Sequence, residues 1–421
     1  MFRFLHAADL HLDSPLRGLE RYDGCPADEV RKASRRALEN LVDLALAERV
    51  AFVLIAGDVF DGDLPDYGAC LFLNEQMLKL RDAKINVYLI RGNHDAESHM
   101  TRHLRLPDNV YAFPTDRAGS HVLDSCGVVI HGQGFATKAV VENLTSGYPR
   151  ADVSLFNIGL LHTCVEGREG HERYAPCSVS DMRSKHYDYW ALGHIHTREV
   201  LSNASEPPIV FAGNLQGRHV RETGAKGAML VEVGDDGLAA KLEHRALDVM
   251  RWSVLRVDAS GAKTEEDVIE RARAQLTLAG EQTDGLPTAV RLEIVGACPA
   301  HNRLASRAEW LANTIRAEAQ NVGSGRLWIE KVPLRTRPEA DHGQVEGSLR
   351  VLLDHINALR ADETRLAALG KELADLKKKL PSSWGDGSRR REVDDPAHLR
   401  EVLDRVEPEL LMGLIADGGA S

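Results

Sequence analysis

The sequence predicts an α/β protein whose first half is built as an α+β sandwich, and two observations predict it. Short apolar runs rich in β-branched and aromatic residues recur, and each ends in a cluster of Asp, His, Asn or Gly. A helix-like apolar period over residues 33–46 separates the first two runs. Because sites in such folds form beyond the carboxyl ends of strands, the polar clusters mark where we expect function.

The length of the chain predicts more than one domain, since 421 residues exceed what one hydrophobic core usually serves. We predict a large domain over 1–248, a small α+β domain over 249–340 and a helical region over 341–421. The small domain alternates strand-like and helix-like patterns. Its predicted elements are strands at 253–257, 290–295 and 327–332 and helices at 265–278 and 305–319.

Five strands of the large domain are each predicted to deliver metal-binding side chains at their ends. These strands are residues 2–5, 52–55, 87–90, 155–161 and 190–192. After the first, Asp9 and His11 share one face of an extended segment. Alone, such a triplet is usually ordinary polar surface. After the second, the GDVFD segment places Asp58 at a strand end, where a turn aspartate is the common alternative.

The later clusters add imidazoles and an amide. In RGNHD, a glycine permits a tight turn while Asn93 offers a neutral oxygen and His94 a titratable nitrogen. His162 ends another strand, where a lone histidine is more often a satisfied polar residue. In GHIH, His194 and His196 present two imidazoles two residues apart, which is a metal-ligand spacing.

The conjunction of all five clusters predicts a site for two divalent cations, because chance rarely assembles such a set of ligands in one chain. With no thiolate among them, the ligands favour manganese, magnesium or iron, and zinc less exclusively. Two such ions would polarise a phosphoryl oxygen and lower the pKa of a water between them, which supplies a hydroxide. The sequence therefore predicts a two-metal phosphoesterase.

The chain resembles the calcineurin-like metallophosphoesterases in its motifs and in their order. These motifs are DxH, GDxxD, GNHD, a strand-end His and GHxH. The resemblance implies their four-layer core, followed by a small capping domain and C-terminal helices. Residues 6–19 and 212–227 resemble the bacterial DNA-repair exonucleases of the SbcD and YhaO type. The function so implied is a metal-dependent DNA exonuclease that hydrolyses phosphodiester bonds in DNA repair.

The resemblance also assigns roles to individual residues. It implies that one metal is held by Asp9, His11, Asp58 and His196 and the other by Asp58, Asn93, His162 and His194. Asp58 would bridge both metals. His94 would assist the transition state or protonate the leaving oxygen, and Asp61 would orient His94.

Arginines near the motifs are predicted to bind the phosphates of a substrate. The predicted substrate-binding residues are Arg17, Arg91, Arg218 and Arg221, and a structural role is the alternative for Arg218 and Arg221. Lys32, Arg35 and Arg36 extend a basic strip, for which a solvated helix face is an equal alternative. The net charge of -11 opposes a protein that holds nucleic acid by a basic surface, and aromatics make up only 5% of the chain.

Leucines at 352, 359, 366, 373 and 380 predict an amphipathic helix or helical hairpin in the C-terminal region. The alternative is a stripe that packs on the protein's own body. The resemblance implies an SMC-like ATPase partner with long coiled coils, which this region would bind. It also implies a homodimer, although no motif indicates one.

Two other functions stay open: a small-substrate phosphodiesterase or phosphatase with the same metal core, and an interaction subunit of an ATPase complex. We expect a cytoplasmic protein without a membrane segment. No stretch of about 20 apolar residues is present, and the six cysteines form no CxxC pair.

Overall fold

The structure of the protein, a computed structural model, describes residues 1–14, 32–62, 67–97, 105–165, 174–235, 239–339, 348–373, 395–396, 398–400, 402–403 and 406–407. The chain divides into two compact units. They are Met1–Val254 with Thr283–Val290, and Leu255–Gln282 with Arg291–Ser421. The division at residues 248 and 340 stays a prediction.

The described elements are short strands and helices of one to five turns. The strands are β1 Phe2–Ala7, β2 Phe52–Ala56, β3 Asn86–Ile90, β4 Val110–Ala112, β5 Gly119–Leu123, β6 Val128–Gln133, β7 Phe156–His162, β8 Tyr189–Gly193, β9 Glu199–Val200, β10 Ile209–Phe211, β11 Gly227–Val233, β12 Ala239–Ala246, β13 Arg251–Asp258, β14 Thr288–Ala297, β15 Leu327–Lys331 and β16 Leu334–Arg337. The helices are α1 Ala33–Glu48, α2 Gly68–Asp82, α3 Asn93–Glu97, α4 Val179–Arg183, α5 Glu265–Glu281, α6 His301–Ser306, α7 Ala308–Val322, α8 Ser348–Ala361 and α9 Glu363–Glu372. A 3₁₀ turn covers Leu144–Gly147.

Two six-stranded sheets form the first unit. One has the order β12-β11-β1-β2-β3-β4 and the other the order β5-β6-β7-β8-β10-β9. Strands β1 to β4 pair in parallel, and so do β6, β7, β8 and β10. The carboxyl ends of neighbouring parallel strands therefore meet at one edge of each sheet, as the sequence predicts.

The strands of the first sheet alternate between two apolar cores, because successive side chains of a strand point to opposite faces. Leu5 and Val53 join one core with α1 and α2, whereas Phe4 and Phe52 join the core shared with residues of the second sheet. The rings of Phe4 and Phe52 stack with their centroids 5.0 Å apart. A further core, which includes Trp190 of β8, lines the other face of the second sheet. This layering confirms the predicted sandwich.

The second unit is a small α+β arrangement. Its sheet has the order β13-β14-β15, and β16 pairs with β14 in parallel. Helices α5 and α7 contact each other. Helix α5 begins at a capping box formed by Thr264 and Asp267. The prediction of a single helix over 305–319 is wrong in one respect, because the chain leaves the helical conformation at Arg307, between α6 and α7.

The predicted leucine stripe lies on two helices, α8 and α9, separated at Asp362. The Asp362 carboxylate accepts hydrogen bonds from the backbone of Thr364 and Arg365, so it caps α9 and ends the continuity of the stripe. Leu366 is fully buried, and Leu352 and Leu359 are partly buried. Within the described residues, the stripe is thus covered in part by the chain itself, while Leu380 lies outside them. None of the described helices is long and apolar enough to cross a membrane.

Candidate metal centre

The segments that follow β1 and β2 run side by side beyond the sheet. The Asp9 amide donates to the Gly57 carbonyl at 3.0 Å, and the His11 amide donates to the Asp58 carbonyl at 3.0 Å. Asp9, His11 and Asp58 have φ angles of 50°, 43° and 50°. Such left-handed conformations cost a non-glycine residue roughly 1–3 kcal/mol each and occur where function requires a fixed geometry.

Loops around the centre approach one another within contact distance, both within the first sheet and between the two sheets, and glycines make this approach feasible. A Cβ atom on Gly92 would lie 2.1 Å from Asp58 Oδ1, and one on Gly193 would lie 1.9 Å from the Ala56 carbonyl oxygen. A Cβ on Gly57 would lie 2.5 Å from His162 Nδ1. At each of these positions, a residue with a side chain would therefore clash unless the backbone moved.

Asp9, His11 and His196 offer ligand atoms that all lie within 4.8 Å of one another. His196 Nδ1 lies 2.6 Å from Glu222 Oε1. Because this contact requires Nδ1 to carry the proton, Nε2 of His196 keeps its lone pair. That nitrogen lies 3.2 Å from His11 Nε2. His11 Nδ1 is buried, lies 3.6 Å from Asp61 Oδ1 and has no hydrogen-bond partner among the described residues. Two ring nitrogens so placed fit a shared cation.

Asp9, Asp58 and His162 form a second group with the same spacing. His162 Nδ1 donates to the Ala56 carbonyl at 2.9 Å, so Nε2 keeps its lone pair. That nitrogen lies 2.9 Å from Asn93 Oδ1 and 3.5 Å from Asp58 Oδ2. Electron-rich atoms facing one another in a buried place fit a second cation, and none of them is a thiolate.

His194 contributes to this centre through its backbone and its ring. Its amide donates to both carboxylate oxygens of Asp9 at 3.1 Å. Its ring meets that of His162 edge to face, with the centroids 5.2 Å apart. The structure thus places His194 beside the second group, and its predicted role as a ligand stays a prediction.

The buried carboxylates of this centre would be stabilised by a positive charge between them. Burial raises the pKa of Asp9, and the charge of Asp58 raises it further. Burial also raises the pKa of Asp58. Burial lowers the pKa of His162 to about 3, so this imidazole is neutral near pH 7 and free to bind a metal. Two buried carboxylates without an internal cation repel each other, and bound divalent ions would remove that cost.

Two comparisons identify the fold to which this centre belongs. Residues 2–198 match the family model of the calcineurin-like phosphoesterases, and residues 252–337 match that of the middle domain of metallophosphoesterase YhaO. A Bacillus subtilis protein named uncharacterized metallophosphoesterase YhaO is 36% identical over 304 residues, which cover 70% of this chain and 72% of that protein. The chain belongs to the calcineurin-like phosphoesterase family. It is a metallophosphoesterase of the YhaO-like group, and divalent metal binding follows from the family.

More distant relatives carry a name from DNA repair. The DNA double-strand break repair protein Mre11 of Saccharolobus solfataricus is 26% identical over 255 residues, which cover 56% of this chain and 61% of that protein. The protein of the same name from Sulfurisphaera tokodaii is 24% identical, with 62% and 67% covered. A solved structure of a dimetal phosphatase from Danio rerio matches with a TM-score of 0.36 and 14% identity, covering 56% of this chain and 93% of that one.

His94 lies at the more exposed side of the metallophosphoesterase centre. His94 Nδ1 lies 2.9 Å from Asp61 Oδ1, and its side chain is 33% exposed. Burial lowers the pKa of His94, but the Asp61 hydrogen bond and the charge of Asp58 outweigh it and leave that pKa raised. Asp61 also accepts a hydrogen bond from Ser14 Oγ at 2.7 Å. His94 is therefore held in one orientation by the carboxylate that also raises its pKa.

Asp95 is a structural residue of the centre that the sequence reasoning left without a role. Its carboxylate accepts from the backbone amides of Val59 at 3.2 Å, Phe60 at 3.0 Å and Gly92 at 3.0 Å. Burial raises the pKa of Asp95 to about 7. One buried side chain thus joins the two loops that carry Asp58 and the GNHD segment. Its place inside that motif was the available signal.

Glu222 is a second residue that the sequence reasoning missed. It is buried, and besides His196 it accepts hydrogen bonds from Asn214 Nδ2 at 2.9 Å and the Arg218 amide at 2.7 Å. Burial opposes its ionisation, but the His196 hydrogen bond and nearby positive charges lower the pKa of Glu222 below its usual range. A carboxylate behind a metal-binding imidazole fixes the tautomer and orientation of that ring.

The predicted substrate-binding arginines lie in different surroundings. Arg17 is outside the described residues, Arg91 is partly exposed after β3, and Arg221 is exposed. Arg218 is only 15% exposed and lies against Asp61 and Glu222. In the predicted basic strip, Arg35 donates to Asp13 Oδ1 at 2.7 Å, which neutralises part of its charge.

Proposed function

We propose that this metallophosphoesterase hydrolyses DNA phosphodiester bonds as an exonuclease in DNA repair. The observation that carries the reaction type is the convergence of Asp9, His11, Asp58, His162 and His196 on two neighbouring positions within a buried centre. The choice of DNA is supported by the relatives named DNA double-strand break repair proteins.

We assign the metals to the ligand sets that the family resemblance implies. The first would be held by Asp9, His11, Asp58 and His196, and the second by Asp58, Asn93, His162 and His194. The proposed ion is manganese, with magnesium, iron and zinc as alternatives for these ligands. When bound, such ions polarise a phosphoryl oxygen and lower the pKa of a water molecule.

The chain's own residues provide the proton and the positioning. His94, with its pKa raised by Asp61, would donate a proton to the leaving oxygen of the cleaved bond. Asp61 would keep the His94 ring oriented through the contact at Nδ1, which leaves Nε2 for the substrate. His94 is closer to solvent than the buried ligands, so it is the histidine that a long substrate reaches.

A second candidate function is hydrolysis of small phosphoesters, and two observations favour it. The net charge is -11, and the Arg35 guanidinium of the basic strip is paired with Asp13. Both reduce the positive surface that a DNA backbone requires. The ligand set serves either substrate equally well, so the substrate must be decided by assay.

The proposed partners are DNA and a coiled-coil ATPase, with a homodimer as a further option. The helices α8 and α9 belong to the region that would bind the ATPase. Deletion of residues 346–421 should abolish co-purification of such an ATPase. Retention of the ATPase by the shortened chain would contradict docking through this region.

The decisive experiment is hydrolysis of end-labelled single- and double-stranded DNA and of a generic phosphodiester ester, each with manganese. Wild type is compared with Asp58→Asn and with Asp82→Asn, a matched control at an aspartate whose side chain is 72% exposed. DNA cleavage that is lost only in Asp58→Asn supports the proposal. Cleavage of the ester alone supports the second candidate, and no cleavage of either contradicts both.

A further inference from the structure

A single guanidinium lies between the two carboxylates that orient histidines at the centre. Arg218 Nη1 lies 3.4 Å from Asp61 Oδ2, and Arg218 Nη2 lies 3.6 Å from Glu222 Oε1. Asp61 contacts His94 at 2.9 Å, and Glu222 contacts His196 at 2.6 Å. Arg218 Nη2 also lies 3.5 Å from His196 Nδ1. Arg218 therefore connects both sides of the centre, through Asp61 on one side and through Glu222 and His196 on the other.

The local chain geometry holds this arginine in place. The Arg218 amide donates to Glu222 Oε2 at 2.7 Å, and the Glu222 amide donates to the His219 carbonyl at 2.8 Å. Arg218 Nη1 also lies 3.4 Å from Ser14 Oγ, which itself donates to Asp61 at 2.7 Å. The turn that carries Arg218 thus also carries one of its two carboxylate partners.

The surroundings of Arg218 fit a positioning role better than substrate binding. Its side chain is only 15% exposed, and Nε is buried without a hydrogen-bond partner among the residues that the structure describes. Without a cation between them, the two largely buried carboxylates would lack a shared counter-charge. A planar guanidinium can face two carboxylates at once, whereas an ammonium group acts as a single point charge.

We propose that Arg218 is a positioning residue, which joins Asp61 and Glu222 and thereby fixes the orientations of His94 and His196 together. This inference rests on the proposed phosphoesterase function, and it replaces the predicted role of Arg218 in binding substrate phosphates. Its action passes through the two carboxylates and through its contact with His196, and not through direct contact with substrate.

The test compares Arg218→Gln and Arg218→Lys with wild type in manganese-dependent hydrolysis of the phosphoester that wild type cleaves. Arg3→Gln is the matched control, because Arg3 also pairs with two carboxylates, Glu48 at 3.0 Å and Glu232 at 2.7 Å, at the other end of β1. We expect kcat to fall about 10-fold to 100-fold in Arg218→Gln, with KM changed less than about threefold. Arg3→Gln should keep the wild-type kcat.

Manganese affinity, measured by titration calorimetry, gives a readout that does not depend on turnover. Loss of a positive charge near the metals would by itself tighten manganese binding, whereas loss of the His196 orientation weakens it. We expect the dissociation constant to rise about tenfold in Arg218→Gln. In Arg218→Lys, which keeps the charge but not the two-sided geometry, we expect both defects to persist in part.

Three results would overturn the inference. A rise in KM with unchanged kcat would show that Arg218 binds substrate, and tighter manganese binding would show that only its charge matters. Full recovery of activity in Arg218→Lys would contradict the need for a planar group. Wild type that binds manganese but cleaves no phosphoester would instead refute the proposed function, and calorimetry would still test the effect of Arg218 on His196.

Discussion

The inner ligands and the two outer histidines of this metallophosphoesterase are held by different means. Asp9, His11 and Asp58 are buried and are fixed by backbone hydrogen bonds in left-handed conformations. His94 and His196 have side chains that are 33% and 23% exposed, and each is fixed by one carboxylate. The inner set is therefore determined by the fold itself, whereas the outer pair depends on replaceable side chains, where activity can be adjusted without rebuilding the sheets.

The largest effect is expected at the inner set, in Asp58→Asn. The amide oxygen can still accept the hydrogen bond from the His94 backbone, so we expect the fold to persist. Loss of a charged ligand should raise the activation barrier of metal-dependent hydrolysis by several kcal/mol, which lowers kcat about 10³-fold. The metal-free variant should melt no lower than metal-free wild type, because one of two repelling buried carboxylates is gone. Calorimetric melting with and without manganese checks this, and residual activity near wild type would refute the ligand assignment.

At the outer pair, His94→Ala should reduce kcat about 100-fold, as expected for loss of a proton donor. Because His94 is not among the proposed ligands, manganese affinity by calorimetry should stay within about threefold of wild type. Loss of manganese binding would move His94 into the ligand set and would weaken the distinction between inner and outer residues.

Glu222→Gln tests the carboxylate behind His196. The neutral amide is a weaker acceptor for His196 Nδ1, so we expect the manganese dissociation constant to rise about tenfold. Glu75→Gln, at an exposed glutamate of α2, is the matched control and should bind manganese as wild type does. Equal affinity in both variants would mean that His196 is held by the fold alone, like the inner set.

The last prediction concerns the stability of the protein and a buried histidine outside the centre. His6 contacts the Tyr189 hydroxyl at 3.0 Å and the Leu192 carbonyl at 3.2 Å, and burial lowers the pKa of His6 to about 3. Between pH 6.5 and 3 the unfolded chain binds a proton at His6 that the folded chain does not, so this residue reduces stability as pH falls. The stability advantage of wild type over His6→Asn should shrink by about 2 kcal/mol from pH 7 to pH 5. Denaturant unfolding at the two pH values measures this, and an unchanged difference would contradict a neutral buried His6.

The sequence predicted the parts of this molecule that local patterns determine. The strand expected at 52–55 is β2 Phe52–Ala56, and the strand expected at 190–192 is β8 Tyr189–Gly193, because continuous apolar runs with polar ends specify buried parallel strands. Asp58 and His196, which follow these two strands, lie in groups that could hold a metal ion, and their roles as ligands stay predictions. Strands β11 and β12 were not predicted, since β11 pairs with β1 from more than 200 residues away and local pattern holds no trace of that pairing.

The residues that support the ligands were harder to predict than the ligands. Glu222 lies in a polar segment, and nothing local shows that it is buried beside His196. For Arg218 the prediction left a phosphate-binding role and a structural role open, and only the structure shows that it lies between two carboxylates of its own chain. Such roles depend on contacts between distant segments, which a single sequence does not reveal.

The glycines of the loops around the centre are a requirement for building this centre into another protein. Gly57, Gly92 and Gly193 allow backbone and ligand atoms to lie where no other residue would leave room. A designer who transferred only the metal ligands would have loops held apart by at least one methyl group. The two sheet edges and their glycines would therefore have to be transferred together. The metal ligands can be added to that backbone afterwards.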